Sequence, residues 1–441
     1  MKLNRISLTH FRCFEHYNMD FANGVTVLFG RNGVGKTSLI HAIIKCLSIV
    51  FYDDLHNKSV EPISAGNPKL SVEGFDKNTD GLINPETGNV YKDVLIEAHS
   101  TFENQIFIWS HGVSSASYRY RPSLFKEAYN GMMNLIKNTQ QYPVLAYYSD
   151  SFPHIEEGTN VSKIIASLRN FGYHQWNKET ACSKIWLDRF TQTWHTMERS
   201  ERMLQSGMLV TKEKIQNEMN RSRAEIEAIQ QCLVTFSKGD PDMEVERLIL
   251  EAFNDQPSVL TTSGKTYAFR LLPAGYKRLF YMILDLAYRS YILNGNTNAK
   301  GIVVIDEIDL HLHPTLEQSV LERLTKTFPH TQFIVSTHSP LVLTNLRADQ
   351  GHNLIYRMNP IGSQPDLLAD VYGLDYNTGL TDVMGVESRM ASLENMITAC
   401  AYQEFKKQED EAERIKIDIC ERFGLTSDEV EKRVEDQLNA W

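Results

Sequence analysis

One run of eight residues constrains this chain more than any other: Gly30-Arg31-Asn32-Gly33-Val34-Gly35-Lys36-Thr37. It fits GxxxxGK[ST] and stands between Val25–Phe29, short, apolar and β-branched, and Thr37–Val50, apolar at helical spacing. Glycines let the backbone wrap closely enough for several N–H groups to point at one anion, and a helix N-terminus favours negative charge there. Lys36 places a point charge on the β- and γ-phosphates of a nucleotide, and the Thr37 hydroxyl can ligate Mg²⁺. Gly30, Asn32, Gly33, Val34, Gly35, Lys36, Thr37 and Ser38 are therefore the nucleotide-binding candidates. A chance Gly-rich turn ahead of a helix would need neither the lysine nor the hydroxyl.

Two later segments fit the same site. Ile302–Ile305 reads as a buried strand ending in Asp306-Glu307, and carboxylates at a strand's C-terminal edge face the crevice where α/β sheets bind ligands. Asp306 would hold Mg²⁺ through water, and Glu307 would polarise the attacking water as general base. The apolar Phe333-Ile334-Val335 runs into Ser336-Thr337-His338-Ser339-Pro340, where His338 can donate from Nε2 to the γ-phosphate. Strands alternating with helices predict a mainly parallel sheet.

These motifs, in this order, resemble the ABC ATPase superfamily, and more narrowly its SMC-, RecF- and OLD-like branch. The N-terminal Leu3–Phe14 and the stretch Asp306-Glu307-Ile308-Asp309-Leu310-His311-Leu312-His313-Pro314 are similar to the same branch. The resemblance implies an α/β ABC ATPase head with a nucleotide sandwich between two copies, ATP and Mg²⁺ as ligands, Asn32 on the γ-phosphate, Asp309 working across the dimer and Arg12 near the nucleotide. The best match to a signature loop is Leu272-Pro273-Ala274-Gly275-Tyr276-Lys277-Arg278, with Gly275 suited to close backbone approach. Proline at 273 replaces the usual serine and offers neither a hydroxyl nor an N–H, so slow hydrolysis is expected. Gln141 is one candidate for the glutamine loop.

The 441 residues suffice for one large α/β domain with insertions. The reading divides them into an ATPase head at 1–150 and 261–375, a helical insertion at 151–260 and a helical C-terminal extension at 376–441. Residues 55–90 read as a surface excursion. Six scattered cysteines without a CxxC pair argue against a zinc site or a disulfide framework and favour a reducing cytoplasm. No apolar run is long enough for a membrane span. The net charge of −10 argues against a uniformly basic nucleic-acid-coating surface while leaving a local basic stripe open.

The segment Asp370–Gly385 is similar to a stretch of PtuA-type ATPases of Septu and retron-associated anti-phage systems. That resemblance implies an HNH-type nuclease partner (PtuB-like), with a retron reverse transcriptase and its RNA–DNA hybrid as further partners, and nucleic acid reached through the complex. Two alternatives stand beside it: a RecF-like repair ATPase that clamps DNA directly, and an ATP-locked scaffold with negligible turnover.

Overall fold

The computed structural model describes residues 1–53, 63–64, 70–114, 118–149, 169–177, 183–206, 212–251, 255–348, 352–360, 363–385 and 393–439. Its contacts divide into two compact units, Met1–Gly379 and Leu380–Trp441. The expected C-terminal boundary at 376 thus falls four residues later.

The first unit opens with β1 (Lys2–Phe11) and β2 (Phe14–Asp20), followed by β3 (Val25–Phe29) and helix α1 (Lys36–Leu47). Then come β4 (Val94–Phe102), β5 (Gln105–Val113), α2 (Lys126–Thr139) and β6 (Val144–Tyr148). Helices α3 (Ser183–Gln205) and α4 (Lys212–Ser237) lead into β7 (Val245–Leu250), β8 (Pro257–Thr261) and β9 (Thr266–Ala268). The unit continues through α5 (Ala274–Asn294), β10 (Gly301–Ile305), α6 (Pro314–Thr327), β11 (Thr331–Thr337), β12 (Asn353–Arg357) and β13 (Asp366–Leu367).

The central sheet has the order β13-β12-β3-β11-β10-β6 and is parallel apart from β13. Strands β3, β6, β10 and β11 are buried at every position, which explains their unbroken apolar character. Because β3, β10 and β11 are parallel neighbours, the loops that leave them emerge at one edge. A second, antiparallel sheet, β2-β1-β4-β5, is joined to the first by Gln332. The Gln332 amide accepts from Leu3 N at 2.7 Å and donates to the carbonyls of Leu3 and Ala22 at 2.7 and 2.6 Å, so the buried amide is satisfied.

Phe11 ends β1 and Phe14 opens β2, with the turn residues Arg12, at φ 53, and Cys13 between them. Two expectations need correction. The span 151–260 is not wholly helical: it holds β7 and most of β8, which with β9 beyond it form an antiparallel sheet. In β7 the buried Val245 and Leu248 stand three apart with exposed Glu246 and Arg247 between them, a spacing that mimics an amphipathic helix in so short a window. The stretch 55–90 is only partly a surface excursion, since Leu70, Val72, Phe75 and Asp80 are buried.

The second unit consists of α7 (Leu393–Phe405), α8 (Glu409–Phe423) and α9 (Ser427–Asn439). They close on Met396, Ile397, Cys400, Ala401, Ala412, Ile419, Val430 and Val434. The helical extension is present as expected. Among the described residues no helix is long and apolar enough to cross a membrane, and five cysteines are free thiols.

Candidate functional site

The loop after β3 turns because its glycines can. Gly35 has φ 101 and caps α1, and a Cβ there would meet Phe14 Cζ at 2.8 Å and Cys13 Sγ at 2.9 Å. A side chain is thus excluded by both conformation and space. The same contact sets the β1–β2 turn, and with it Arg12, against the phosphate loop. Lys36 is 7% exposed and donates from Nζ to the carbonyls of Gly30 (2.8 Å) and Arg31 (3.2 Å). Burial pulls its ammonium below the ordinary lysine range, and Asp306, Glu307 and Asp309 oppose that shift.

Opposite the loop, β10 delivers Asp306. Thr37 Oγ1 donates to Asp306 Oδ2 at 3.2 Å, and Ser336 Oγ donates to Asp306 Oδ1. Two hard oxygen donors, the Thr37 hydroxyl and a buried carboxylate, therefore stand together beside the phosphate loop, the donor chemistry that suits Mg²⁺. Ser336 Oγ also accepts the Glu307 N–H at 2.8 Å. Glu307 has φ 51, a left-handed conformation uncommon for residues other than glycine. Asp309 Oδ1 accepts from Thr337 Oγ1 at 2.6 Å and from His338 N at 3.2 Å. Lys36, Thr37, Asp306, Glu307, Asp309 and His338 thus gather at one sheet edge, and Asp309 is engaged by its own chain's β11.

Arg12, set beside the phosphate loop, is held by Asp80. Its Nε donates to Asp80 Oδ1 at 3.1 Å and its backbone N–H to the Asp80 carbonyl at 2.9 Å. Lys45 Nζ lies 3.0 Å from the other Asp80 oxygen. Burial alone would raise the Asp80 carboxyl; the Asp76 N–H, Lys45 and Arg12 outweigh it and hold the group below the usual range. Arg12, His41, Lys45, Phe75, Asp80 and Asn177 help line a cavity of about 440 Å³ against α1.

At the start of α5, Pro273 is exposed while Gly275 is buried. Gly275 faces its own chain's His311 carbonyl. Gln141 precedes β6, whose Val144 pairs with Gly301 at the start of β10. It therefore lies at the edge opposite Asp306 and is set aside as the glutamine-loop candidate. Asn32 is exposed in the loop. The sequence reading assigned no role to Ser336, Asp80 or Arg278. The last carried a signal: a cation followed by the apolar run Leu279–Leu284 must find buried partners.

Fold and site together define a P-loop ATPase head. An AAA-domain family model matches residues 5–237, more than half of the chain. A second AAA-domain model, whose description names the AbiEii toxin and type IV TA systems, matches residues 215–344. The chain belongs to the AAA-domain family, as an ATPase of the SMC/RecF branch. It is 26% identical to the Retron Vc95 probable ATPase of Vibrio cholerae serotype O1 biovar El Tor, over 79% of this chain and 73% of that protein. It is 25% identical to the Retron Ec83 probable ATPase of Escherichia coli, over 78% and 69%. Septu protein PtuA of Bacillus mycoides is 23% identical over 78% of this chain and 39% of its own length.

Proposed function

We propose that the chain binds ATP with Mg²⁺ between two copies of itself, hydrolyses it slowly, and governs a separate HNH-type nuclease in a retron- or Septu-type anti-phage system. The observation that carries the catalytic part is the Thr37–Asp306 contact of 3.2 Å, which joins the phosphate loop to the acid pair. Mg²⁺ held by Thr37 and Asp306 would neutralise charge on the β- and γ-phosphates. Lys36 exchanges two loop carbonyls for phosphate oxygens. Glu307 accepts the proton of the attacking water as the new P–O bond forms, and the bridging P–O bond breaks with its electron pair leaving on ADP. His338 donates to a γ-phosphate oxygen from Nε2, and Asp309 steadies the strand end that carries it.

The defence role rests on the retron and Septu relatives and on the similarity of Asp370–Gly385 to PtuA-type chains. Partner docking would use the α3–α4 insertion or the C-terminal unit, which are additions to the ATPase core. A retron reverse transcriptase with its RNA–DNA hybrid is the further partner this reading includes. The test is purification from the native operon, followed by single-turnover hydrolysis of Mg·ATP by the wild type and E307Q. A copurifying HNH nuclease and a rate lost in E307Q are expected. Copurification of DNA alone would replace the nuclease reading with a DNA clamp, and equal background rates would remove the enzyme.

A further inference from the structure

Arg278, one turn into α5, is 1% exposed and donates to carbonyls just beyond the ends of the acid strand β10 and its neighbour β6. Its Nη2 donates to the carbonyls of Asp306 at 3.0 Å and Glu307 at 2.9 Å, with Ser149 O at 3.4 Å. Burying a guanidinium is costly, and an apolar side chain of similar volume would serve cohesion at least as well. The Arg278 contacts instead fall on a segment whose backbone is held in a disfavoured conformation at the acid pair itself. Glu307 keeps φ 51 with its N–H on Ser336 Oγ and its carbonyl on Arg278. Such conformations persist where the surroundings over-determine them.

We propose that Arg278 is a positioning residue for hydrolysis. By fixing the carbonyls of Asp306 and Glu307 it sets the direction in which the Glu307 carboxylate leaves the strand. Because Arg278 sits on the same helix turn as Gly275, it also ties the start of α5 to the chain's own hydrolytic acid. All three contacts come from the single nitrogen Nη2, so a lysine ammonium can restore them only in part, on a flexible stem without the rigid planar group that fixes their direction. The proposal rests on the reading of Glu307 as general base.

The test is single-turnover hydrolysis with protein in excess over Mg·ATP, for the wild type, R278Q, R278K, E307Q and the R278Q/E307Q pair. Rates are taken per bound nucleotide, beside ATP affinity and melting temperature. R278Q should bind ATP within about twofold of wild type yet hydrolyse at least about tenfold more slowly, because misplacing a base removes transition-state interaction and not uniform binding. R278K should lie between them, at least about threefold below wild type, and R278Q should add no further loss to E307Q. A loss that merely tracked folding would vanish once rates are expressed per bound nucleotide. Should R278Q fail to fold, R278K carries the comparison. Wild-type rates in the Arg278 variants, or multiplicative losses in the pair, overturn the proposal while E307Q still fails. Wild-type turnover in E307Q removes the base itself, and the proposal with it.

Discussion

A Cβ placed on Gly275 would lie 2.8 Å from the carbonyl oxygen of His311. Real Cβ atoms do not sit so close to backbone oxygen, and His311 itself has φ 65, so the opposing segment has little freedom to retreat. The glycine is therefore demanded by the chain's own packing, whatever a partner's phosphate also requires. Gly275→Ala should cost about 1–3 kcal/mol through overpacking, read as a lower melting temperature. ATP turnover per bound nucleotide should fall with it while ATP affinity holds. An unchanged melting temperature would show that the close approach relaxes freely.

Lys36 lies where bound phosphate can draw it away from the Gly30 and Arg31 carbonyls. Lys36→Ala should weaken ATP binding by about ten- to a hundredfold, roughly 1.4–2.8 kcal/mol, with little change in thermal stability. Burial lowers the ammonium's pKa. Affinity should therefore fall on the alkaline side before exposed lysines titrate. A fluorescent-nucleotide titration across pH checks both statements, and an affinity flat through the alkaline range would contradict the second.

Much of the site was legible because its chemistry sits on contiguous strings. Gly30–Thr37, Asp306-Glu307 and His338 each follow a short apolar strand, and parallel neighbours bring such strand ends to one edge. The contacts that hold the site are long-range and left little trace. Ser336 reaches Asp306 across the sheet, Arg278 reaches it from a helix, and Asp80 takes hold of Arg12 from a stretch rich in turn residues. The same limit hid β7–β9, whose pairing depends on partners that a single window does not contain. Gln141 shows the converse: its residue type was suitable, and only the strand register placed it at the wrong edge.

Pro273 precedes α5 and is exposed, where a second copy's nucleotide could approach it. Proline supplies no donor there. Restoring a serine would add a hydroxyl and an N–H without disturbing the α5 core. Pro273→Ser should therefore raise steady-state ATP turnover several-fold, since one donor aimed at transferred phosphate is worth about 10²–10³ in the most favourable cases. ATP affinity should change less than the rate. A P273S protein no faster than wild type would detach the proposed slow turnover from this position.

His111 on β5 is fully buried, with Nε2 2.7 Å from the Glu73 carbonyl and the rings of Phe75 and Phe125 around it. Burial drives its pKa down to about 4; the Glu73 carbonyl opposes the shift and Lys45 adds to it. The unfolded chain, with an imidazole near 6.5, binds more protons than the folded one between those values, so stability rises with pH across that interval. The contribution is complete above about pH 6.5 and is lost as pH falls toward 4, amounting to roughly 3 kcal/mol at about 1.4 kcal/mol per unit. His111→Gln keeps a donor for the Glu73 carbonyl but cannot be protonated in this range. Its urea midpoint should fall less than that of the wild type between about pH 7 and pH 4.5. Parallel acid profiles for the two proteins would mean that the acid sensitivity arises elsewhere in the chain.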